Sequence, residues 1–104
     1  MTDRRKQCLE KALVPDEMLF IDSEDDYLDV AIVGVADIEG RTVAVYDYDL
    51  LLKAYYDHMD PSLYENEQER YDNATAMVDD AMNLIFKLKQ PDGYAPVIVD
   101  MLDT

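Results

Sequence analysis

Two apolar runs rich in β-branched residues lie in the first half of the chain. One extends from Leu28 to Ala36 and the other from Arg41 to Tyr48. Gly40 stands between them, where a turn needs positive φ, so the two runs predict a β-hairpin. Ahead of them, the brief apolar run Met18–Ile21 predicts a short strand or a packed segment. The acidic stretch Asp22–Asp26 predicts a solvated loop.

One short helix is predicted on each side of this hairpin. Thr2 can cap a first helix over about residues 3–13, and Pro15 ends it, because the residue before a proline avoids helical geometry. The aspartates of Asp47-Tyr48-Asp49 are suited to cap a second helix over about residues 50–59.

A longer third helix is predicted from the mid-60s to Lys89. Ser62 and Glu65 have the spacing of a capping box, and Pro91-Asp92-Gly93 ends the pattern. Its apolar positions step by three and four residues: Tyr71, Ala74, Val78, Ala81, Ile85 and Leu88. A closing strand follows at about residues 96–102. The order α-β-β-α-α-β predicts an α+β fold with a small, largely antiparallel sheet packed on two or three helices.

The composition is that of an acidic globular domain. The 104 residues include 24 Asp and Glu against nine Lys and Arg, for a net charge of -15, and 49% are apolar. That apolar fraction is too high for a disordered acidic tail, and the length predicts one domain over residues 1–104. Apolar runs fall short of the ~20 residues of a membrane span, and the N-terminus lacks a signal-peptide core. Cys8 is the single cysteine, so we expect a cytoplasmic protein.

The negative charge disfavours direct binding to nucleic acids and to anionic membranes. Nucleic-acid binders cluster Lys and Arg on one face, whereas the only basic cluster here is Arg4-Arg5-Lys6. The field of such a domain attracts basic proteins or metal cations. We therefore expect the partner to be a basic protein surface, with homo-oligomerisation as a further possibility.

The acids are concentrated on the third helix and in the 22–29 stretch. On the helix they fall within one arc about 100° wide, opposite the apolar arc, and their ≈ 5–6 Å Cβ spacing resembles that of phosphates along one nucleic-acid strand. The predicted partner-binding residues are Asp22, Glu24, Asp25, Asp26, Asp29, Tyr64, Glu65, Glu69, Asp72, Asp79 and Asp80. Tyr64 belongs to a set of eight tyrosines, a residue type favoured at interfaces. Two interpretations remain open: a surface that imitates DNA or RNA, and a solvated face that maintains solubility, as in halophilic proteins.

Candidate catalytic residues are few. Asp47-Tyr48-Asp49 after a hydrophobic strand resembles the first motif of haloacid-dehalogenase-type phosphatases, in which the first Asp is the nucleophile and the second an acid/base on a magnesium site. Leu51 stands where those enzymes carry Thr or Val. A helix cap is the simpler explanation of both aspartates. His58 has no second His or Cys nearby, and no glycine-rich phosphate loop exists. We expect neither an enzyme nor a cofactor or metal site, and retain a magnesium-dependent phosphatase using Asp47 and Asp49 as an alternative.

A wider resemblance covers about two thirds of the chain. The strand-turn-strand, Tyr46-Asp47-Tyr48-Asp49 opening a helix, and the closing Tyr94-Ala95-Pro96-Val97-Ile98 resemble a group of small acidic bacterial and prophage proteins of uncharacterised function. The resemblance implies no catalytic residues. It implies a setting in which small acidic proteins inhibit host defence, as anti-CRISPR and anti-restriction proteins do. We therefore expect a non-enzymatic nucleic-acid mimic; a homo-oligomeric accessory protein is a further alternative.

Overall fold

The computed structural model describes residues 2–12, 18–21, 24–38, 40–88 and 95–100. These residues form α-helices, 3-10 segments and one three-stranded sheet, an α+β fold as predicted. In chain order the elements are α1 (Asp3–Lys11), a 3-10 segment (Glu24–Ala31), β1 (Ile32–Ile38), β2 (Arg41–Asp47), α2 (Tyr48–His58), a short 3-10 turn (Pro61–Leu63), α3 (Glu67–Leu88) and β3 (Val97–Val99).

Strand β2 is the centre of the sheet. It pairs with β1 as the predicted antiparallel hairpin, and Gly40 takes the positive φ of 81° that the turn requires. On its other side β2 pairs in parallel with β3, Val45 opposite Val97 and Asp47 opposite Val99. The sheet is therefore mostly antiparallel, with one parallel pair. Helices α2 and α3 form the connection between the two strands of that pair.

The core is centred on Tyr46, whose side chain is fully buried between the sheet and the helices. Its hydroxyl accepts a hydrogen bond of 3.0 Å from the backbone N–H of Ile21, so the 18–21 segment is attached to β2. Burial raises the pKa of this phenol far above its ordinary value, which keeps it neutral. The predicted alternative of a packed segment at 18–21, rather than a strand, is the one the structure has.

The prediction that β1 begins at Leu28 was wrong, because residues 28–31 belong to the 3-10 segment. Leu28, Ala31 and Ile32 are buried while Val30 is 55% exposed. Burial at positions i, i+3 and i+4 is the helical period, whereas a strand would alternate. The apolar run from Leu28 to Ala36 is therefore divided between the 3-10 segment, which ends at Ala31, and strand β1, which begins at Ile32.

Two predicted helix caps are confirmed and one is wrong. The Thr2 hydroxyl accepts from the Arg5 N–H at 3.4 Å, and the Asp47 carboxylate accepts from the Leu50 N–H at 3.2 Å. The Ser62/Glu65 capping box does not form, since Ser62 donates to Asp60. Helix α3 is capped instead by Asn66, which accepts from the Glu69 N–H at 2.8 Å.

Several predicted boundaries lie outside the described residues. These are Pro15, the end of the third helix at Lys89 and Pro91–Gly93, and the part of the closing strand beyond residue 100. The first helix itself ends at Lys11, two residues before the predicted residue 13, and Ala12 is extended at its C-cap. Within the described ranges, no helix is long and apolar enough to cross a membrane.

Candidate protein-binding surface

The acids predicted on the third helix do share one face of α3. Glu69, Asp72, Asp79 and Asp80 are all exposed, while Ala74, Val78 and Ala81 are buried on the opposite side. We call these four residues, Glu69, Asp72, Asp79 and Asp80, the α3 acidic face. From Glu69 to Asp80, 11 residues further along the helix, α3 rises about 16 Å, the distance in which one nucleic-acid strand advances by about five phosphates.

The one arginine of α3, Arg70, does not neutralise this face. Its guanidinium donates two hydrogen bonds to the Tyr56 carbonyl, at 2.7 and 3.1 Å, and lies 4.0 Å from the centroid of the Tyr56 ring. Arg70 therefore satisfies a carbonyl in the last turn of α2 and holds α3 against it. Among the ion pairs of the described residues, none involves an acid of the α3 acidic face.

Tyr64 and Glu65 lie immediately before α3. Glu65 is exposed and Tyr64 is partly buried, and both border a shallow cleft of about 190 Å³ together with Pro61 and Arg70. The Glu65 N–H donates to the Glu69 carboxylate at 3.3 Å, so the segment follows the helix end closely. Both residues are thus continuous with the α3 acidic face.

Asp29 was wrongly predicted as a partner-binding residue, because it is 1% exposed. Its two carboxylate oxygens accept from the Arg5 guanidinium at 2.9 and 3.1 Å, and the Thr2 hydroxyl donates to it as well. Arg5 is covered by the Phe20 ring, 4.6 Å from its Cζ to the ring centroid. Desolvation by burial opposes the charged guanidinium, yet the hydrogen bonds and charge of Asp29 leave the pKa of Arg5 raised. This ion pair joins α1 to the 3-10 segment and is structural.

The described part of the 22–29 stretch belongs to the 3-10 segment and is not the expected solvated loop. Asp26 lies 3.4 Å from the same Arg5 guanidinium, so its charge is also partly balanced. Asp25 is exposed, and both Asp25 and Asp26 have positive φ, at a kink in the 3-10 segment. Asp22 and the side chain of Glu24 lie outside the described residues. Only Asp25 therefore remains as a described, exposed and unpaired acid of this stretch.

The Asp47-Tyr48-Asp49 motif opens α2 at the end of β2. The Asp47 carboxylate caps the helix, and Asp47 is 9% exposed. Asp49 lies exposed in the first turn, where the helix dipole stabilises a negative charge. The described residues contain no group of three His, Cys, Asp or Glu side chains placed to hold a metal ion. His58, at the end of α2, stacks on Tyr27 with ring centroids 3.8 Å apart.

Two grooves flank α3, each of about 350 Å³. The first is mostly apolar and is lined by Phe20, Met77 and Leu84, with Asp80 on its border. The second lies between α2 and α3; its lining residues are Asp49, Leu52, Lys53, Tyr56 and Tyr71. The sequence contains eight tyrosines but does not distinguish Tyr56 and Tyr71 from the others, because the groove forms only where two helices meet. The adjacency Tyr55-Tyr56-Asp57 was the one available signal.

No protein-family model matches the chain, and neither a curated protein nor a solved structure shows significant similarity to it.

Proposed function

We propose that this chain is a non-enzymatic, cytoplasmic binding protein whose α3 acidic face occupies the basic cleft of a nucleic-acid-binding protein. In this role it is a nucleic-acid mimic and an inhibitor, of the kind that blocks a defence nuclease or a DNA-binding regulator. Glu69, Asp72, Asp79 and Asp80, continued by Glu65 and Tyr64, form the contact surface. Asp29 and Asp26 are not part of it.

The observation that supports the proposal is four exposed carboxylates on one side of α3, with no ion-pair partner among the described residues. Like charges at helical spacing repel one another and cost stability, and a cationic partner relieves that repulsion. Arg70, the arginine of the same helix, points away to Tyr56. The contrast with Asp29 is informative, because there the fold supplies its own cation.

Competition with duplex DNA tests the proposal. A labelled duplex is bound to each of a panel of basic DNA-binding proteins, and the chain is added as competitor at several salt concentrations. We expect displacement from at least one member, weakening steeply between about 0.01 M and about 1 M salt as the screening length falls from about 30 Å to about 3 Å. Affinity that hardly changes with salt contradicts mimicry.

A pair of charge-matched variants identifies the surface. Asp72→Asn with Asp79→Asn removes two charges from the α3 acidic face, and Asp3→Asn with Glu10→Gln removes two exposed charges from α1. Exposed charge pairs are worth about 0.2–1 kcal/mol each, so the α3 variant should bind about 2- to 30-fold more weakly. The α1 variant should bind as the parent does. Equal losses in both would mean that net charge, and not this face, governs binding.

Self-association is a second candidate function, favoured by the apolar groove beside α3. Met77 and Leu84 line this groove and are 38% and 53% exposed, whereas large apolar side chains in a core are buried. Light scattering separates the two functions. Salt screens the repulsion between two copies of charge -15 and strengthens a homo-oligomer, whereas it weakens a complex with a basic protein.

A further inference from the structure

The groove between α2 and α3, which we call the tyrosine groove, has a lining that suits a cation. Its residues are Asp49, Leu52, Lys53, Tyr56 and Tyr71. Tyr71 is 48% exposed, so much of its ring is open to solvent, and Leu52 is almost fully buried at the base. A volume of about 350 Å³ is at the small end of the range for ligand pockets and fits a single side chain better than a large ligand.

The protein already shows how one of these rings is used. The Arg70 guanidinium lies over Tyr56, 4.0 Å from the ring centroid, and Arg70 is not among the residues that line the groove. The negative face of a tyrosine ring attracts a planar guanidinium, which stacks on it as well. In the tyrosine groove, Tyr71 presents the same type of ring without a described guanidinium on it.

Asp49 is the one charged residue of the groove lining without an ion-pair partner among the described residues. The Lys53 Nζ lies 2.8 Å from the Asp57 carboxylate, so its charge is balanced within α2. Asp49 takes part in no ion pair among the described residues. The neighbouring Tyr48 senses further acids: its pKa is raised by burial first, and then by the charges of Asp79, Asp100 and Asp49 and by Tyr71. A cation entering the groove meets the Asp49 carboxylate, the acid that lines it.

We propose that the tyrosine groove receives an arginine side chain of the partner protein, with Tyr71 stacking on its guanidinium and Asp49 balancing its charge. The proposal rests on the proposed function, since the same basic partner supplies the arginine, and it adds a specific anchor to a surface that otherwise acts through charge alone. Asp79 belongs both to the α3 acidic face and to the acids near Tyr48, so the anchor lies beside the phosphate-like array.

The test uses the full chain and a short alternating glycine–arginine peptide, with the glycine–lysine peptide of equal charge as comparison. Nuclear magnetic resonance at low salt follows the ring signals of Tyr56, Tyr71 and Tyr27 during titration. We expect the arginine peptide to shift the Tyr71 and Tyr56 ring signals and to bind more tightly than the lysine peptide. Tyr27 stacks on His58, lies outside both the groove and the proposed contact surface, and serves as the internal control.

Three variants complete the experiment. Tyr71→Leu keeps the apolar volume but removes the ring, and should weaken binding of the arginine peptide about two- to five-fold, the usual effect of one exposed cation–π contact. Tyr71→Phe keeps the ring and should bind as the parent does. Asp49→Asn should weaken binding more than Glu10→Gln, which removes one exposed charge from α1.

The outcomes distinguish this proposal from the one it rests on. Equal affinity for the two peptides, unmoved Tyr71 signals, or an unchanged Tyr71→Leu variant overturns the arginine anchor even if both peptides bind with a steep salt dependence. In that case the acidic face stands as a purely charge-driven surface. Absence of any binding to either peptide at low salt overturns both proposals together.

Discussion

Replacing Arg5 by methionine tests the role of the buried ion pair in holding α1 to the rest of the fold. Side-chain exposure is 14% for Arg5 and 2% for Asp29, and the pair is bidentate at 2.9 and 3.1 Å. In Arg5→Met the flexible apolar side chain retains contact with Phe20, but the Asp29 carboxylate keeps only the Thr2 hydroxyl. The perturbation is therefore an uncompensated buried charge, with little change in volume.

The expected loss is large relative to the total stability. Removing one partner of a buried ion pair typically costs about 3–5 kcal/mol, and a domain of this length has about 5–15 kcal/mol in total. At about 4–8 °C per kcal/mol, the melting temperature should fall by at least about 12 °C. Urea denaturation followed by circular dichroism measures the change, provided that the slope of the transition stays constant.

A double variant completes the experiment. Arg5→Met with Asp29→Leu removes both charges, so no buried carboxylate is left unpaired, and it should recover much of the lost stability. A loss below about 1 kcal/mol in Arg5→Met would refute the reasoning, since that is the value of an exposed pair. A double variant less stable than Arg5→Met would refute it as well.

Two further predictions concern Asp47 and Tyr55. Asp47→Ala should cost about 1 kcal/mol in urea denaturation, because the Leu50 N–H loses its cap, whereas Asp47→Asn keeps a good capping side chain and should cost little; equal losses would contradict the capping role. Burial raises the pKa of Tyr55 to about 12 from the ordinary 10.0, so between these values the folded phenol stays protonated while the unfolded one ionises. The contribution of Tyr55 to the free energy of unfolding is therefore fully present below pH 10. It is lost as the pH rises towards 12, by up to about 1.4 kcal/mol per pH unit. Tyr55→Phe should lose less stability over that interval, and an unchanged slope would refute the assignment.

Features encoded over a few neighbouring residues could be predicted from the sequence. The hairpin followed from two β-branched runs around Gly40, and the start of α2 from the carboxylate of Asp47. The α3 acidic face followed from spacing alone, because a helix places residues three and four apart on the same side. For these features the physical cause lies within one or two turns of chain.

Features that depend on distant partners could not be predicted. Asp29 has the same local setting as its acidic neighbours, and only the approach of Arg5, 24 residues earlier, makes it a core residue. The parallel pairing of β3 depends on where α2 and α3 place the chain before Val97. The tyrosine groove depends likewise on the contact of two helices, so its lining could not be distinguished from other tyrosines.

The parallel seam between β2 and β3 has a consequence for how the chain is synthesised and handled. Helices α2 and α3 separate the two strands in the chain, so about half of the sequence lies between them. β3 can pair with β2 only after this intervening part has been synthesised and has folded. Until then the apolar β2 strand presents an open edge on which another nascent chain could dock. Truncation ahead of Val97 makes that exposure permanent, and we expect such fragments to aggregate although every helix and the hairpin are intact.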